Sequence, residues 1–389
     1  MRNNAARIST KRPDEPAAQP RSFVSTPPDT LLFAVTSILV AIGLIMIFSA
    51  SSAIAYAEHH DTAYYVKRQF VWLVVGLVCA YGAFRIDYRK LKQFAPYALV
   101  LCALSLLAVL VPHVGVIAGG SRRWIGVGPI SFQPSEFAKL GVVVYLAATL
   151  SARGERITSL GRGLFPLCMA VGILAVLVLK EPDMGTASIL VITACIMLFA
   201  AGARIEHLAL IGLVTTPIVA LSILSSAYKR ARIFAFMNPW KDPQNTGFHI
   251  VQSLLALGSG GLFGVGLGQS SAKFFYLPEQ YTDFIFSVLG EELGLVGALF
   301  VVLLFVVFSH RAIKIALGAP DRFGFFLVLG CTAVVAVQAF INIGVVTSSW
   351  PVTGVPLPFI SFGGSSLIVS LVAVALIINV GRYRRVNLH

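Results

Sequence analysis

Charge is what this sequence has least of. Asp, Glu, Lys and Arg make up 12% of its 389 residues, against 57% hydrophobic residues, and mean hydropathy is +0.83. A soluble globular domain carries about a quarter charged residues, so this composition excludes one. Acidic residues are the scarcer sign: 17 Asp and Glu against 30 Lys and Arg, for a net charge of +13. That excess does not make a nucleic-acid binder, because no basic soluble domain is present to carry it. In a membrane chain it is first an orientation signal. Cysteine is sparse too. Cys79, Cys102, Cys168, Cys195 and Cys331 sit inside apolar runs with no CxxC or zinc spacing, which leaves them as small buried hydrophobes. There is no GxGxxG, Walker A, GxSxG or HExxH motif, so ATP-driven transport and serine hydrolysis have no support in the chain. No small-residue cleavage site follows the first apolar run, so no cleavable signal peptide is expected.

What is present is a series of apolar runs of about 20 residues, the length that crosses a bilayer. They predict an all-α polytopic membrane protein with ten spans, near 31–51, 70–86, 95–112, 136–152, 164–180, 185–203, 206–226, 284–309, 323–346 and 365–381. Residues 1–30 are rich in Arg, Lys and Pro and cannot build a core, so they read as a disordered basic tail ahead of one transmembrane domain, 31–389. With the N-terminus placed inside, inner segments hold 19 Lys and Arg and outer ones 10, with Lys139 inside a span. That bias puts both termini in the cytoplasm. It also leaves a large extracytoplasmic loop between helices seven and eight.

The outer face is unusually rich in polar and turn residues, at 113–135, 180–185, 227–283 and 347–366. In the long loop, Ile250–Leu257 is apolar and is followed by Gly258, Gly260, Gly261, Gly264, Gly266 and Gly268. We read a short interfacial or re-entrant segment with a Gly-rich turn. Irregular backbone at membrane depth is tolerated only when buried in protein or lining a wet cavity.

Candidate functional side chains gather on the same face. Arg122, Arg123, Lys180 and Lys273 are outer cations suited to phosphate. Ordinary snorkelling at the interface is the alternative for each. Glu136 and Lys139 are three apart and share a helix face, so they are expected to pair. Glu181 and Asp183 lie between spans five and six, and Asp283 lies where the long loop becomes span eight. An ionisable group at mid-membrane costs about 2.5–3.5 kcal/mol, so several near one face suggest a shared polar cavity. Helix capping is the bland reading for both Asp183 and Asp283. Glu291 and Glu292 lie about 12–14 Å further along span eight, too deep to join Asp283, and read as internal struts.

The motifs GSRRWIGVGPISFQPSEFAKL (120–140), EPDMGTA (181–187), NPWKDPQNTGFHIVQSLLALGSGGLFGVGLG (238–268), LPEQYTDFIFSVLGEELGLVG (277–297) and VPLPFISFGGSS (355–366) occur in this order. Together they resemble the FtsW/RodA-type (SEDS) peptidoglycan glycosyltransferases over about 31–381. The resemblance implies a ten-helix fold that polymerises lipid II into β-1,4 glycan strands at the outer leaflet of the bacterial inner membrane. It implies a class B penicillin-binding protein as transpeptidase partner and, for an FtsW-like member, divisome proteins at the septum. It puts the key aspartate at Asp283, and further site positions at Arg123, Trp124, Glu136, Lys139 and Asp183. Tyr281 stands where the family usually has His, Phe362 where Tyr is usual, and Thr353 replaces a Lys of many division-type members. The segment QSSAKFFYLPE and the basic tail lean toward FtsW, with an elongation-type (RodA-like) polymerase as the alternative.

On that chemistry one carboxylate base suffices, because a charge-neutralised pyrophosphate leaves without an acid. Glycosidases differ in using a pair of carboxylates. No cofactor is required, and a divalent cation (Mg or Mn) is an option for the pyrophosphate. A lipid flippase is the rival class. It should show polar residues on both sides of the midplane, whereas here they cluster on the outer face.

Overall fold

The computed structural model describes residues 27–112, 114–118, 121–127, 130–271, 273 and 277–383. The basic tail up to residue 26, and Arg384 and Arg385 of the inner charge count, lie outside the described residues.

Ten apolar helices occupy the ten expected positions: α1 (Thr30–His59), α2 (Tyr64–Arg85), α3 (Leu91–Leu110), α4 (Pro134–Arg153), α5 (Phe165–Lys180), α6 (Met184–Ala200), α7 (Ile205–Leu224), α10 (Ile285–Leu317), α11 (Arg322–Val346) and α12 (Gly364–Arg382). Seven of them, α1–α4 and α10–α12, are long and apolar enough to cross a membrane, and α5, α6 and α7 carry shorter apolar stretches. Helices suit this composition because each satisfies its backbone internally, without water. Enclosure is uneven. The apolar windows of α12, α11 and α4 are 89%, 78% and 67% buried, and that of α2 only 11%. So α4, α11 and α12 form the bundle centre, and α2 shows most of its surface to the surroundings.

Contacts at the helix ends fix the relative orientation. Arg311, near the end of α10, pairs with Asp29, the cap of α1, at 2.6 Å. Asp321, the cap of α11, accepts from Tyr88 Oη at 2.5 Å in the α2–α3 turn, and Tyr88 packs on Tyr383 just after α12. The start of α1 and the end of α12 therefore lie at the same end of the bundle, as an even number of spans requires.

Two outer segments hold more structure than their sequence suggested. Within 113–135, three strands form an antiparallel sheet in the order β1 (Gly115–Ala118), β2 (Ser121–Val127), β3 (Ile130–Phe132). Glycine, proline and paired arginines made this segment look like plain loop. The long outer segment contains α8 (Ala227–Met237), whose charges hid it, and α9 (Phe248–Ser259), which matches the expected short apolar segment.

The Gly-rich turn after α9 has a structural partner. The long helix α10 breaks at Gly294, which adopts φ 69°, a conformation that L side chains rarely take. A break orphans backbone groups that lipid cannot satisfy. Here Val265 N and Gly266 N donate to the carbonyls of Glu291 and Glu292 at 3.0 and 3.1 Å. Leu295 N and Val296 N donate to the carbonyls of Gly261 and Leu262 at 2.9 and 3.1 Å. The two carboxylates hold the same junction. Glu291 accepts from Ser270 Oγ, Ser271 N and Ser271 Oγ, and Glu292 accepts from Ser49 Oγ of α1 at 2.6 Å. Both are buried struts of the bundle.

Candidate active site

Asp283 closes the long outer segment, two residues before α10. The three carbonyls from 281 to 283 are each held from outside the segment. Phe362 N donates to Tyr281 O at 2.9 Å, Ser361 Oγ to Thr282 O at 2.6 Å, and Asn342 Nδ2 to Asp283 O at 2.7 Å. Asn342 Nδ2 also donates to Val355 O at 2.7 Å. One turn earlier on α11, Gln338 Nε2 donates to Pro356 O at 2.9 Å and to Ser366 Oγ at 3.0 Å. The irregular segment between α11 and α12 is thus a strap, sewn to α11 on one side and to the backbone of Tyr281 and Thr282, just before Asp283, on the other.

The carboxylate itself does no structural work. The cap position of α10 is Phe284, and no side chain caps this helix, so the capping reading of Asp283 fails. Asp283 is half-buried. Burial pushes its pKa up to about 7, helped by the negative charges of Glu279 and Asp183 and opposed by Arg232 and Arg123. Gly354 of the strap, at φ 69°, leaves room beside it: a Cβ there would lie 3.3 Å from Asp283 Oδ2.

Arg123 reaches this neighbourhood through a β-bulge. The β1–β2 register slips between Val116 and Ile117, so Trp124 and Arg122 have strand partners while Arg123 between them has none. Bulges re-aim side chains. Arg123 Nε donates to Glu181 O at 3.1 Å and Nη2 to Pro182 O at 3.2 Å, clamping the α5–α6 turn. Within that turn Asp183 caps α6, accepting from Thr186 N at 2.9 Å, Thr186 Oγ1 at 2.9 Å and Gln133 Nε2 at 3.1 Å. Glu181 is fully buried and neither of its carboxyl oxygens has a hydrogen-bond partner among the described residues. Burial, then the charge of Asp183, pushes its pKa up to about 8 against the pull of Arg123.

A carboxyl group poised near neutrality, fixed by its backbone and flanked by two guanidinium groups, can accept a proton beside a bound anion.

Residues 29–386 match the family model described as "Cell cycle protein", the FtsW/RodA/SpoVE family. The chain belongs to this family. It is 46% identical over 360 residues to "Stage V sporulation protein E" of Bacillus subtilis (strain 168), covering 92% of this chain and 98% of that one. It is 42% identical to "Probable peptidoglycan glycosyltransferase FtsW" of Geobacter metallireducens, covering 90% and 94%. Among solved structures it resembles a chain from "Structural coordination of polymerization and crosslinking by a peptidoglycan synthase complex", with TM-score 0.74, 28% identity and 92% and 98% coverage. It also resembles the rod shape determining protein RodA of Thermus thermophilus, with TM-score 0.68, 29% identity and 92% and 98% coverage.

The two positions where this FtsW/RodA/SpoVE member departs from the usual aromatic pattern meet in space. The rings of Tyr281 and Phe362 are 5.7 Å apart and edge to face, and Tyr65 of α2 lies 4.5 Å from the first and 5.4 Å from the second. They form one aromatic cluster that packs Phe362 of the strap against α2 and Tyr281.

The expected site residues separate into groups. Arg123 and Asp183 act electrostatically on Asp283. Arg122 and Trp124 flank Arg123 on β2, and the Nε of Arg122 is buried without a hydrogen-bond partner among the described residues. Glu136 and Lys139 pair as expected, at 2.7 Å, but both are buried inside the bundle, where Lys139 Nζ also donates to Gln338 Oε1 at 2.5 Å. Their place is beneath the strap, as a link between α4 and α11. Lys180 is exposed at the end of α5. Lys273 is buried and donates to Gly268 O in the Gly-rich turn.

Sequence reasoning had Arg232 as one of several outer loop cations suited to phosphate, and missed Asn342 and Ser361. A usable signal existed for one of them. Gln338 and Asn342 are two amides four residues apart in an otherwise apolar span, and such groups face a protein interior where they find partners.

Proposed function

We propose that this chain is the glycan polymerase of a cell-wall synthesis complex, an FtsW-like peptidoglycan glycosyltransferase acting on lipid II at the outer leaflet of the bacterial inner membrane. The observation that carries the reading is the geometry of Asp283. Its three-carbonyl backbone clamp fixes the position while its carboxylate is left to the substrate. Asp283 takes the proton of the acceptor sugar hydroxyl as that oxygen bonds to the anomeric carbon of the donor. The bond from that carbon to the pyrophosphate oxygen breaks, and undecaprenyl pyrophosphate leaves with the electron pair. Attack opposite the leaving group inverts the centre and gives a β-1,4 link. Arg123 and Arg232 are the cations placed to offset pyrophosphate charge, with Arg122 and Lys180 as contacts for the rest of the headgroup, whereas the buried Lys273 holds the Gly-rich turn instead.

A divalent cation, if used, would be held chiefly by the pyrophosphate oxygens with one or two carboxylates. Among the described residues no group of three or more His, Cys, Asp and Glu is placed to hold a metal ion. No step here needs one.

The partner is a class B penicillin-binding protein, consistent with the synthase complex whose chain this fold resembles. Septal placement with divisome proteins is the reading that the relatives named FtsW support. The test is glycan synthesis from lipid II by the purified chain with its partner. Folded Asp283→Asn should make no glycan strands. Near-normal polymerisation by that variant overturns the assignment of the base.

A further inference from the structure

At the end of the bundle opposite Asp283, a cavity of about 430 Å³ opens between three elements. Arg89 and Lys92 come from the α2–α3 turn and the start of α3, Ser151 from the last turn of α4, and Asp321, Arg322 and Phe323 from the start of α11. Four helix ends meet here, so the cavity sits at the depth where a span gives way to lipid headgroups. The proposed chemistry of Asp283 does not use it.

Its charges are unevenly committed. Asp321 is spent on structure. Its Oδ1 accepts from Gly324 N at 2.8 Å as the cap of α11, and its Oδ2 accepts from Tyr88 Oη at 2.5 Å and Arg89 Nε at 3.4 Å. The neighbouring Asp87 accepts from the backbone of Arg89 at 3.0 Å. Arg89 is held in place by Tyr88 and Tyr383, with its guanidinium carbon 5.4 and 5.3 Å from their ring centroids. Arg322 and Lys92 are in none of the ion pairs among the described residues. The lining therefore holds three cations against one carboxylate that is already saturated. Orientation alone asks only for cations in solvent. Here they line a concave site of ligand size, next to the first backbone N–H groups of α11, whose helix dipole adds to the positive potential.

We propose that this cavity binds a phosphate group, either the headgroup phosphate of an anionic phospholipid or a free phosphate ester from the same side of the membrane. Guanidinium and ammonium donors with a helix start match phosphate oxygens, and basic pockets between spanning helices are where anionic headgroups lodge. Arg322 and Lys92 supply the contacts, and Arg89, stacked between tyrosines, supplies a fixed background charge.

The test uses the full chain and reads thermal stability. One arm compares nanodiscs of phosphatidylcholine with nanodiscs that also contain phosphatidylglycerol. The other compares detergent-solubilised protein in inorganic phosphate and in chloride at equal ionic strength. Stabilisation by phosphatidylglycerol alone identifies the lipid as the source, and stabilisation by inorganic phosphate identifies the free ion. In either case Lys92→Gln/Arg322→Gln should weaken the apparent affinity by at least about tenfold. Arg204→Gln, an exposed cation at the start of α7 outside the cavity, should leave it unchanged. Equal loss in the Arg204 variant means diffuse attraction and overturns the site. So does wild-type protein that responds to neither probe, a readout that stands even where the double variant fails to fold.

Discussion

Asn342 holds Asp283 by its backbone: the Asn342 amide nitrogen lies 2.7 Å from the Asp283 carbonyl and 2.7 Å from that of Val355. One side chain thereby joins α11, the strap and the segment that carries Asp283. Replacing it with Leu keeps the volume and leaves two carbonyls without their donor. Each loss should cost about 1–3 kcal/mol where the group is buried. We expect Asn342→Leu to lower both melting temperature and polymerisation rate. Asn342→Asp removes the donor with little change of shape and should cost activity as well. An active, stable Leu variant would show that the clamp does not position Asp283.

The raised pKa of Asp283 has a kinetic and a thermodynamic consequence. A base must be ionised, so polymerisation should rise with pH through an apparent midpoint near 7, the value to which burial pushes Asp283. Stability runs the other way. Asp283 at about 7 and Glu181 at about 8 both stand above the ordinary carboxylate range of about 4. The folded state then binds more protons than the unfolded state between about pH 4 and 8, so their contribution is full below that window and is lost as pH rises through it. Glu181→Gln should flatten the fall in melting temperature over this range, with stability at pH 8 equal to or above wild type. A steeper fall in that variant would contradict the buried, unpartnered placement of Glu181.

How far the sequence led depends on which physical signal each feature leaves. The ten spans were legible because a bilayer demands about 20 apolar residues and little else. Glu291 and Glu292 were legible as struts because they lie too deep to be exposed. The sheet at 115–132 was not, since Gly, Pro and Arg in short strands look the same as loop. The Gly-rich run was legible as a turn but not in its purpose, because its partner, the break at Gly294, lies more than 20 residues away in the chain. Asp183 and Asp283 looked alike as possible caps. Only tertiary contacts separate them: Asp183 takes the cap of α6, while the Asp283 carbonyl is held by Asn342 of α11 and its carboxylate caps no helix.

Glu136 and Lys139 form a buried pair at 2.7 Å between the strap and the bundle centre. Removing one partner strands the other charge away from water, which typically costs about 3–5 kcal/mol. Glu136→Gln and Lys139→Met should each reduce folded protein sharply. The double variant Glu136→Gln/Lys139→Met should recover much of the loss, because no lone charge remains. Thermal unfolding in detergent and the yield of monodisperse protein measure this. If the double variant is as damaged as the sum of the singles, the pair does more than neutralise itself, and a direct part in handling substrate becomes the better account.

Gly354 offers the most local probe of the carboxylate. Its φ of 69° is in the left-handed region, and a Cβ there would meet Asp283 Oδ2 at 3.3 Å. Gly354→Ala therefore adds about 1–2 kcal/mol of backbone strain and a methyl group against the carboxyl oxygen proposed to take the proton. The strap is also tied down by Gln338, Asn342 and Ser361, so the fold should survive that cost. Activity should not be spared in the same way, because a carboxylate displaced by a few tenths of an ångström loses alignment with the acceptor hydroxyl. We expect a melting temperature lowered by a few degrees and a polymerisation rate lowered by at least about tenfold, with binding of lipid II little changed. Gly354→Ser should behave alike. A Gly354→Ala protein that polymerises at the wild-type rate would mean that the carboxylate faces away from the strap when substrate is bound.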